Sequence, residues 1–382
     1  MSGHAERAAA AAAALLDAAA AAQWRGPDPY DGLWWPAPAP LRAGRRRRQA
    51  IVQLHARLPV DLRGAYRRPA PLIPKTLGLF ARTALDLHAR TGDERYVALC
   101  ATALDRTPAL VSPGGATWWG YPFDVQTRWS FYPAGAPNVV VTSFVGMALL
   151  EAGERLGRED YAARARDAAG AVLDRLFSPE RGHFVYHGHS DTLIHNANLL
   201  AARLVWRALG DDAAAADAVR RALEPTLAAQ RADGAWGYGE GPGLGYVDGL
   251  HTGYILECLA EMDGASPAVA GAIARGARYY VDGCFRPDGA AKLRPERDHP
   301  EDGHSAGTGL SALTAVAPWL ADAPAAADRV AARALDAMIA GGRGVFRRYA
   351  WGASRVRYLR WVDAHLAAGL ARHAAARVPA AA

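Results

Sequence analysis

The sequence predicts an all-α fold in which six helical hairpins close into a ring, an (α/α)6 toroid. Four glycines each end one predicted helix and precede the next: Gly92, Gly157, Gly210 and Gly264. Their spacings of 65, 53 and 54 residues are typical of stacked helical hairpins. The segment before each glycine is apolar nearly all round, and the segment after it is amphipathic. These patterns predict an enclosed inner layer of helices and an outer layer that faces water.

The helices are assigned to the two layers by these patterns. The inner helices are predicted over residues 75–91, 138–156, 192–209, 247–262, 303–320 and 356–373. The outer helices are predicted over residues 45–58, 94–108, 160–177, 213–229, 266–282 and 325–340. Six of each favour a closed ring, because closure leaves no inner helix exposed at an end. We expect residues 40–382 to form this single toroid domain, and residues 1–39 to pack on it as a helix and an aromatic loop.

The charge balance does not favour a polyanionic partner. The 382 residues include 44 Lys and Arg against 38 Asp and Glu, but only Lys75 and Lys292 are lysines. Together with the alanine runs, this excess of arginine is typical of a GC-rich genome. The densest basic run, Arg45–Arg48, is predicted to be a solvated helix face, with contact to phosphates or to an acidic membrane surface as the alternative. No nucleic-acid partner is expected.

The cysteines and the apolar segments bear on location. The three cysteines are dispersed and are expected to be reduced core thiols in a cytoplasmic protein: Cys100, Cys258 and Cys284. The alanine-rich stretch 8–22 is predicted to be a helix and not a signal peptide, because no basic region precedes it. No window approaches 18 uncharged apolar residues, so no membrane span is expected.

Polar side chains recur in the first turns of the predicted inner helices, where a core helix would be apolar. They include Asn138, Thr142, Ser143, His195, Asn196, Asn198, Asp248, His251, Thr252, His304, Ser305, Arg357, Arg360, Trp361 and Asp363. Because the inner helices run parallel, these turns and the aromatic loops before them gather at one end of the ring. Burying so many unpaired polar groups would cost roughly 1–3 kcal/mol each. The sequence therefore predicts a solvated central cavity at this end.

Candidate acid and base residues lie in these turns and loops. The proposed catalytic residues are Asp248, His251, His195, Asp124 and Glu240. Asp248 and His251 are three residues apart, so they share a helix face and can act as a pair, although Asp248 is also a good N-cap. Asp124 or Glu240 would be the second carboxylate. Such a set serves either a glycosidase, which needs two carboxylates, or a lyase or epimerase, which needs a base and an acid.

The remaining polar and aromatic residues of this end are candidates for binding. The proposed substrate-binding residues are Asn196, Asn198, His304, Arg360, Trp361, Trp119, Trp236 and Tyr254. Aromatic rings suit stacking on sugar faces or on an isoprenoid chain, and the alternative for the tryptophans is packing of the loops on the ring.

One short segment has the spacing of metal ligands. His187, His189 and Asp191 alternate as on a strand, so all three could face one side and hold a metal ion. A fourth ligand is missing in the sequence, so no metal and no other cofactor is predicted. Phosphate-binding glycine motifs and a nucleophile elbow are absent from the sequence.

A local motif resembles known toroid enzymes. Gln230-Arg-Ala-Asp-Gly234-Ala-Trp236 is similar to the Q-x-x-x-G-x-W repeat of squalene–hopene cyclases and to repeats of protein prenyltransferase β-subunits. This resemblance covers one hairpin and implies the toroid fold. The D-x-D-D motif of class II terpene cyclases is absent, so the resemblance does not imply their chemistry.

A wider resemblance spans residues 28–365. It is carried by Asp28-Pro-Tyr-Asp-Gly, Gly120-Tyr-Pro-Phe-Asp124-Val-Gln, residues 137–144, His195-Asn-Ala-Asn198, residues 230–240, residues 248–254 and Arg357-Tyr-Leu-Arg360-Trp361. These segments resemble a bacterial family of α/α-toroid proteins that is associated with surface-polysaccharide gene clusters and has no settled activity. More distantly, the chain is similar to six-hairpin glycosidases, polysaccharide lyases and uronyl epimerases, which place acid/base residues at this end of the ring. The His187–Asp191 segment departs from the simple aromatic loop of that family, which leaves room for a specialised activity.

These observations together predict a carbohydrate-active enzyme of the hydrolase, lyase or epimerase type, which acts on a sugar or a sugar-containing metabolite. Two alternatives stay open, an isoprenoid-handling cyclase or transferase and a toroid that only binds a ligand. A sugar site predicts a cavity wall of carboxylates, Asn and His with one or two stacking Trp residues. An isoprenoid site predicts a deep pocket of Phe, Trp and Leu with a single acid at its floor.

Overall fold

The computed structural model describes residues 2–35, 39–57, 63, 68–128, 130–187 and 192–377. The α-helices are α1 (Ser2–Ala21), α2 (Ala39–Arg42), α3 (Arg45–Arg57), α4 (Pro74–Thr91), α5 (Arg95–Leu104), α6 (Val139–Leu156), α7 (Glu159–Leu176), α8 (His195–Leu209), α9 (Ala213–Ala228), α10 (Gly249–Ala260), α11 (Ala268–Cys284), α12 (Gly303–Ala315), α13 (Ala323–Ala337) and α14 (Ala364–Ala375). The strands are β1 (Val125–Gln126), β2 (Phe131–Tyr132), β3 (Phe177–Ser178), β4 (His183–Phe184), β5 (Lys292–Arg294), β6 (Arg297–Asp302), β7 (Ile339–Ala340), β8 (Arg343–Gly344), β9 (Arg347–Tyr349) and β10 (Gly352–Ala353).

The predicted ring of helices is confirmed. The inner helices α4, α6, α8, α10, α12 and α14 each pack against the next, and α14 packs back against α4, so the inner layer is closed. The outer helices α5, α7, α9, α11 and α13 each pack on the inner helix that precedes them in the chain. Within the described residues, no helix is long and apolar enough to cross a membrane.

The sixth outer position is taken by α1 and not, as the sequence analysis expects, by the helix at residues 45–58. Helix α1 packs against α14, α13 and α4. Its buried stripe, which includes Ala8, Ala12 and Leu15, is made mostly of small side chains that allow close approach. Helix α3, by contrast, packs on a 3₁₀ turn at residues 31–33 and on β1. On this helix Val52 is buried, but Leu54 is 56% exposed. Its apolar face is too small for the outer layer.

The glycine period marks helix ends with two different conformations. Gly92 and Gly157 have φ of 69° and 65°, the left-handed conformation in which glycine ends a helix without strain. Gly210 keeps a right-handed conformation with φ of −63°, and Gly264 lies in a 3₁₀ turn. The period therefore predicts the hairpins correctly, but the left-handed cap conformation occurs only at the first two glycines.

Short strands join the helices at the cavity end of the ring. The largest sheet has the order β10–β9–β6–β5, with every neighbouring pair antiparallel. Its strand β6 ends at Asp302, which caps α12 by accepting a hydrogen bond from the backbone N–H of Ser305. The hairpin β1–β2 lies in the loop between α5 and α6.

Helices α12 and α14 approach each other most closely at two glycines. A Cβ atom on Gly369 would overlap the backbone carbonyl oxygen of Gly307, and a Cβ on Gly307 would overlap the backbone of His365. This approach also brings the imidazole rings of His304 and His365 into a stack with centroids 3.9 Å apart. Glycine at these two positions therefore sets the spacing of the two helices and the geometry of the histidines above it.

Replacing Gly369 with alanine should lower the free energy of unfolding by about 1–3 kcal/mol, because the added methyl group overpacks the contact between α12 and α14. Gly170 in α7 is the matched control, since a Cβ there would meet nothing within 4 Å. Gly170→Ala should raise stability by about 0.5–1 kcal/mol through helix propensity. Urea unfolding of both variants checks this, and equal effects of the two substitutions would contradict it.

Candidate active site

A cavity of about 580 Å³ opens at the N-terminal ends of the inner helices. Its floor and walls come from the first turns of these helices and include Lys75, Asn138, Asn196, His251, Tyr254 and His304. Arg360 and Trp361, in a π-helical turn (Leu359–Asp363) just before α14, complete the wall. The polar first turns of the inner helices thus surround one space, as their pattern predicts.

Helix α3 and the hairpin β1–β2 cover one side of the cavity. Gln49 and Gln53 of α3 and Gln126 of β1 line it. The Nε2 of Gln49 donates to the backbone oxygen of Thr127 (3.0 Å), and the guanidinium of Arg48 donates to the side-chain oxygen of Gln126 (2.9 Å). The basic run is therefore only partly a solvated face: residues 45–47 are exposed, whereas Arg48 holds the hairpin against the cavity.

Two loops share a Trp-Gly-Tyr segment in which the tryptophan and the tyrosine have different positions. The rings of Trp119 and Trp236 are buried, and their indole Nε1 atoms donate to the backbone oxygens of Thr107 (2.8 Å) and Thr226 (2.9 Å) at the ends of outer helices. Two residues later, Tyr121 and Tyr238 line the cavity. The two tryptophans are thus loop anchors outside the cavity lining. Both rings are buried, which agrees with the alternative that the sequence left open, packing of the loops on the ring.

Asp248 and His251 form a hydrogen-bonded pair at the start of α10. One carboxylate oxygen of Asp248 accepts from the backbone N–H of His251 (2.9 Å) as an N-cap, and the other faces its Nδ1 at 2.8 Å. Burial acts to raise the pKa of Asp248, but the His251 imidazole, its backbone N–H and Arg294 hold this pKa below its ordinary value. An ionised carboxylate can only accept, so Nδ1 carries a proton, and in the neutral form of the ring Nε2 holds the lone pair. Since His251 lines the cavity, the pair has the arrangement that a general base needs.

Four inner helices contribute to a second cluster below this pair. The hydroxyl of Tyr254 lies 3.3 Å from Nζ of Lys75, 2.6 Å from Nε2 of His304 and 3.2 Å from Nε2 of His365. Burial, followed by the charge of Lys75, lowers the pKa of His304 well below its ordinary value, and burial together with His304 does the same for His365. Both imidazoles are therefore neutral at physiological pH, so the two histidines of the cluster hold no fixed positive charge.

The N-terminal loop is fixed to the cavity by an ion pair. The guanidinium of Arg360 donates to the buried carboxylate of Asp28, and a further oxygen of Asp28 accepts from the backbone N–H of Tyr30 (2.9 Å). The ring of Tyr30 then packs edge-on against Trp361, with centroids 5.4 Å apart. The Asp-Pro-Tyr segment thus places an aromatic ring and a charged pair at the wall.

The cavity wall retains hydrogen-bonding groups that the described part of the protein does not use. Five wall residues have a buried polar atom without a protein partner: Asn138 Nδ2, Asn196 Oδ1, His304 Nδ1, Arg360 Nη2 and Trp361 Nε1. Native proteins pair most such groups, and a polar ligand in the cavity is a partner that would satisfy the groups at its wall.

Other predicted site residues lie outside the cavity lining. His195 is fully buried between Thr226 (3.2 Å) and the exposed Glu240 (3.1 Å), and burial lowers its pKa. Asn198 accepts from the backbone N–H of Phe184 and donates to the backbone oxygen of Ala222, so it holds a loop. The carboxylate of Asp124 accepts from the backbone N–H of Ala134 (2.8 Å). The structure does not bring these residues to the Asp248–His251 pair.

The proposed metal ligands divide between described and undescribed parts of the chain. The ring of His187 packs edge-on against Tyr132, with centroids 5.1 Å apart. His189 and Asp191 lie outside the described residues, so the metal hypothesis stays a prediction.

Sequence reasoning missed several residues of the site. Lys75, His365 and Asp28 take part in the contacts described above, and six tyrosines line the cavity besides the predicted Tyr254: Tyr30, Tyr121, Tyr132, Tyr186, Tyr238 and Tyr246. Two of these tyrosines follow the anchoring tryptophans at a fixed spacing, which is a signal that the sequence offers. Lys75 stands alone as a charge between Pro74 and an apolar helix, which is a second signal.

Solved structures with the same architecture include several sugar-converting enzymes. Cellobiose 2-epimerase from Bacillus thermoamylovorans has a TM-score of 0.62 and 11% identity over 80% of this chain and 88% of that chain. A D-mannose isomerase has a TM-score of 0.62 and 9% identity over 82% and 88% of the two chains. An unsaturated glucuronyl hydrolase specific for heparin has a TM-score of 0.60 and 15% identity over 80% and 87%.

Comparisons of sequence give no closer assignment. No protein-family model matches the chain, and no curated protein matches it. The identities to the solved structures are low, so the likeness concerns the fold. The closed ring of six hairpins, with a cavity over the inner-helix N-termini, is an (α/α)6 toroid of the kind that these sugar-converting enzymes adopt.

Proposed function

We propose that the protein converts a sugar or a sugar-containing metabolite by acid/base chemistry of the epimerase or isomerase type. The observation that carries the proposal is the Asp248–His251 pair, which presents an imidazole to a polar, tyrosine-rich cavity in this fold. The solved structures that the fold resembles include two epimerases and an isomerase that act on sugars. A cytoplasmic location is part of the proposal, supported by three cysteines that are buried and free.

The chemistry follows from the protonation states in the cavity. Nε2 of His251 would remove the proton from the carbon beside the carbonyl group of an open-chain sugar. The electron pair moves to the carbonyl oxygen and forms an enediolate. The Arg360 guanidinium, which remains charged beside Asp28, stabilises this oxyanion from the wall. Return of the proton to the same carbon from the other face gives an epimer, and return to the neighbouring carbon gives an isomer.

The positions of the acidic residues favour this chemistry over glycoside hydrolysis. A glycosidase places two carboxyl groups on either side of the scissile bond. Asp248 uses both oxygens on His251, Asp124 holds a loop, and Glu240 is an exposed partner of His195. The carboxyl groups of these three residues are therefore engaged by other groups of the protein, whereas the imidazole of His251 is presented to the cavity.

The composition of the wall supports a sugar over an isoprenoid. The described lining contains seven tyrosines, asparagine, glutamine, histidine and arginine, with Trp361 as its tryptophan. A tyrosine combines an apolar face for stacking on a sugar ring with a hydroxyl for hydrogen bonding. An isoprenoid chain would instead be matched by an apolar wall. The seven tyrosines and five unpaired polar atoms suit a polyhydroxylated ligand.

Proton exchange at carbon provides the direct test. The protein is incubated in D₂O with a panel of reducing sugars that includes D-mannose, D-glucose and cellobiose, and the products are followed by NMR. We expect deuterium at C2 of at least one sugar, together with the signals of its epimer or keto isomer. Cleavage of cellobiose without C2 deuteration would contradict the proposal in favour of hydrolysis. The absence of any change across a broad sugar panel would contradict sugar conversion itself.

A further inference from the structure

Lys75 is a buried amine that the proposed acid/base chemistry does not use. It lies in the first turn of α4, is 2% exposed, and lines the cavity. Within the described chain, the contacts of its Nζ are uncharged: the Tyr254 hydroxyl at 3.3 Å and the face of the Phe144 ring, whose centroid is 3.8 Å away. A buried lysine that serves the fold is normally paired with a carboxylate. The position of Lys75 is that of a reactive amine.

The surroundings favour the neutral form of this amine. Burial, followed by the positive charge of Arg360, lowers the pKa of Lys75 well below its ordinary value of 10.5. Asp28 and Glu257 act in the opposite direction, but each is engaged by arginine. A neutral amine has a free electron pair and can attack a carbonyl carbon.

A proton relay stands beside the amine. The Tyr254 hydroxyl bridges Nζ of Lys75 and Nε2 of His304, at 3.3 Å and 2.6 Å. His251 is one helical turn before Tyr254, and the centroids of their rings are 6.4 Å apart. A substrate whose carbonyl carbon lies at Lys75 can therefore place its neighbouring carbon toward His251.

We propose that Lys75 forms an imine with the carbonyl carbon of an open-chain sugar, which deepens the proposed function and rests on it. The Nζ atom attacks the carbonyl carbon, and one proton passes from the nitrogen to the carbonyl oxygen to give a carbinolamine. The C–O bond then breaks as the nitrogen lone pair forms the C=N bond. The hydroxyl group leaves as water with a proton that the Tyr254–His304 relay passes on from solvent, and the nitrogen keeps its remaining proton as an iminium ion.

The iminium ion makes the subsequent proton transfer easier. When His251 removes the proton from the neighbouring carbon, the electron pair moves into the C=N bond and gives a neutral enamine. Return of a proton restores the iminium ion, and addition of water releases the sugar and the free amine. The proton count closes, because imine formation takes up one proton and releases one water molecule, and hydrolysis takes up the water and releases the proton. In this scheme Lys75 is the electrophilic catalyst and His251 is the base.

Reductive trapping tests this step with unusual clarity because the chain has only two lysines, Lys75 and Lys292. The full-length protein is treated with glyceraldehyde, D-mannose or cellobiose and sodium cyanoborohydride, and the modified peptide is mapped by mass spectrometry. We expect one reduced adduct on Lys75, formed at least tenfold faster than on Lys292. The control variant Lys292→Arg should keep the adduct, and Lys75→Met should lose it. Circular dichroism and thermal unfolding confirm that both variants fold.

The outcomes separate this inference from the proposed function. Deuterium exchange at C2 that persists in Lys75→Met, or trapping that modifies only Lys292 and the N-terminus, would overturn the imine while leaving acid/base sugar conversion in place. Trapping of glyceraldehyde on Lys75 without C2 exchange in any sugar would support a carbonyl-binding amine and contradict sugar epimerisation. Loss of C2 exchange together with loss of the adduct in Lys75→Met supports the imine, because methionine has a side chain of similar length but no amine.

Discussion

Replacing Glu257 with glutamine should lower the free energy of unfolding by about 3–5 kcal/mol, the range expected when one partner of a buried ion pair is removed. Glu257 lies in α10, toward the end of the ring opposite the cavity, and is 4% exposed. One of its carboxylate oxygens accepts from Arg372 at 3.0 Å, Arg203 at 3.3 Å and Arg82 at 3.4 Å. These arginines come from three other inner helices, so glutamine would leave three positive charges around a neutral group.

The same carboxylate makes stability depend on pH in acid. Burial alone would raise the pKa of Glu257, but Arg82, Arg372 and Arg203 lower it from 4.5 to about 2. In the unfolded chain this pKa returns to about 4.3. A depressed pKa contributes stability above the unfolded value, on the order of 3 kcal/mol here, and this contribution is lost as the pH falls from about 4.5 to 2. Glu257→Gln should remove this part of the acid dependence.

Urea unfolding at several pH values between 3 and 6 checks both effects. The matched control is Asp336→Asn, which breaks the surface ion pair with Arg7, whose side chains are 64% and 54% exposed. A surface pair contributes at most about 1 kcal/mol, so this variant should unfold almost as the wild type does. Equal stability of Glu257→Gln and wild type at pH 6 would show that the arginines are solvated and that the network does not hold the ring.

The fold could be predicted because periodicity reports burial. Apolar inner helices and amphipathic outer helices have different patterns, and the hairpin period follows from them. The pattern could not assign α1 to the outer layer, because alanine is compatible with both a buried and an exposed face. The ion network around Glu257 was also missed. Its charges stand singly in apolar helices, and their convergence depends on ring closure, which brings residues such as Arg82 and Arg372 together.

The site could be predicted only where the spacing was local. The pair of Asp248 and His251 could be predicted because residues three positions apart lie on the same face of a helix. The cluster around Tyr254 joins residues up to 290 positions apart, from Lys75 to His365, so its contacts depend on the closed ring. The sequence leaves two roles open for the loop tryptophans, because an indole ring suits stacking on a substrate as well as packing in a loop. Their hydrogen bonds to outer-helix carbonyls, as for Trp236, could not be inferred from ring chemistry.

Replacing His251 with glutamine should lower kcat/KM for the converted sugar by about 10²–10⁴-fold, the usual contribution of a positioned general base. Glutamine keeps a polar side chain on α10 but has no atom that takes up a proton at neutral pH. Thermal unfolding should change little, because His251 is partly exposed at the cavity and its backbone N–H still donates to Asp248. The control is His88→Gln, whose histidine lies in the last turn of α4, at the other end of the ring, and should keep full activity.

The variant Asp248→Asn keeps the imidazole of His251 but changes which of its nitrogens carries the proton. Asparagine can still cap α10 through its oxygen, so the fold is retained. Its amide group, however, donates toward Nδ1 of His251, which must then accept, and the ring proton moves to Nε2. The imidazole remains in the cavity but presents a proton where the mechanism needs a lone pair. We therefore expect at least a tenfold loss of C2 deuterium exchange with KM little changed. Full exchange in Asp248→Asn would mean that His251 does not act as the base through Nε2, and that Asp248 serves the fold as a cap alone.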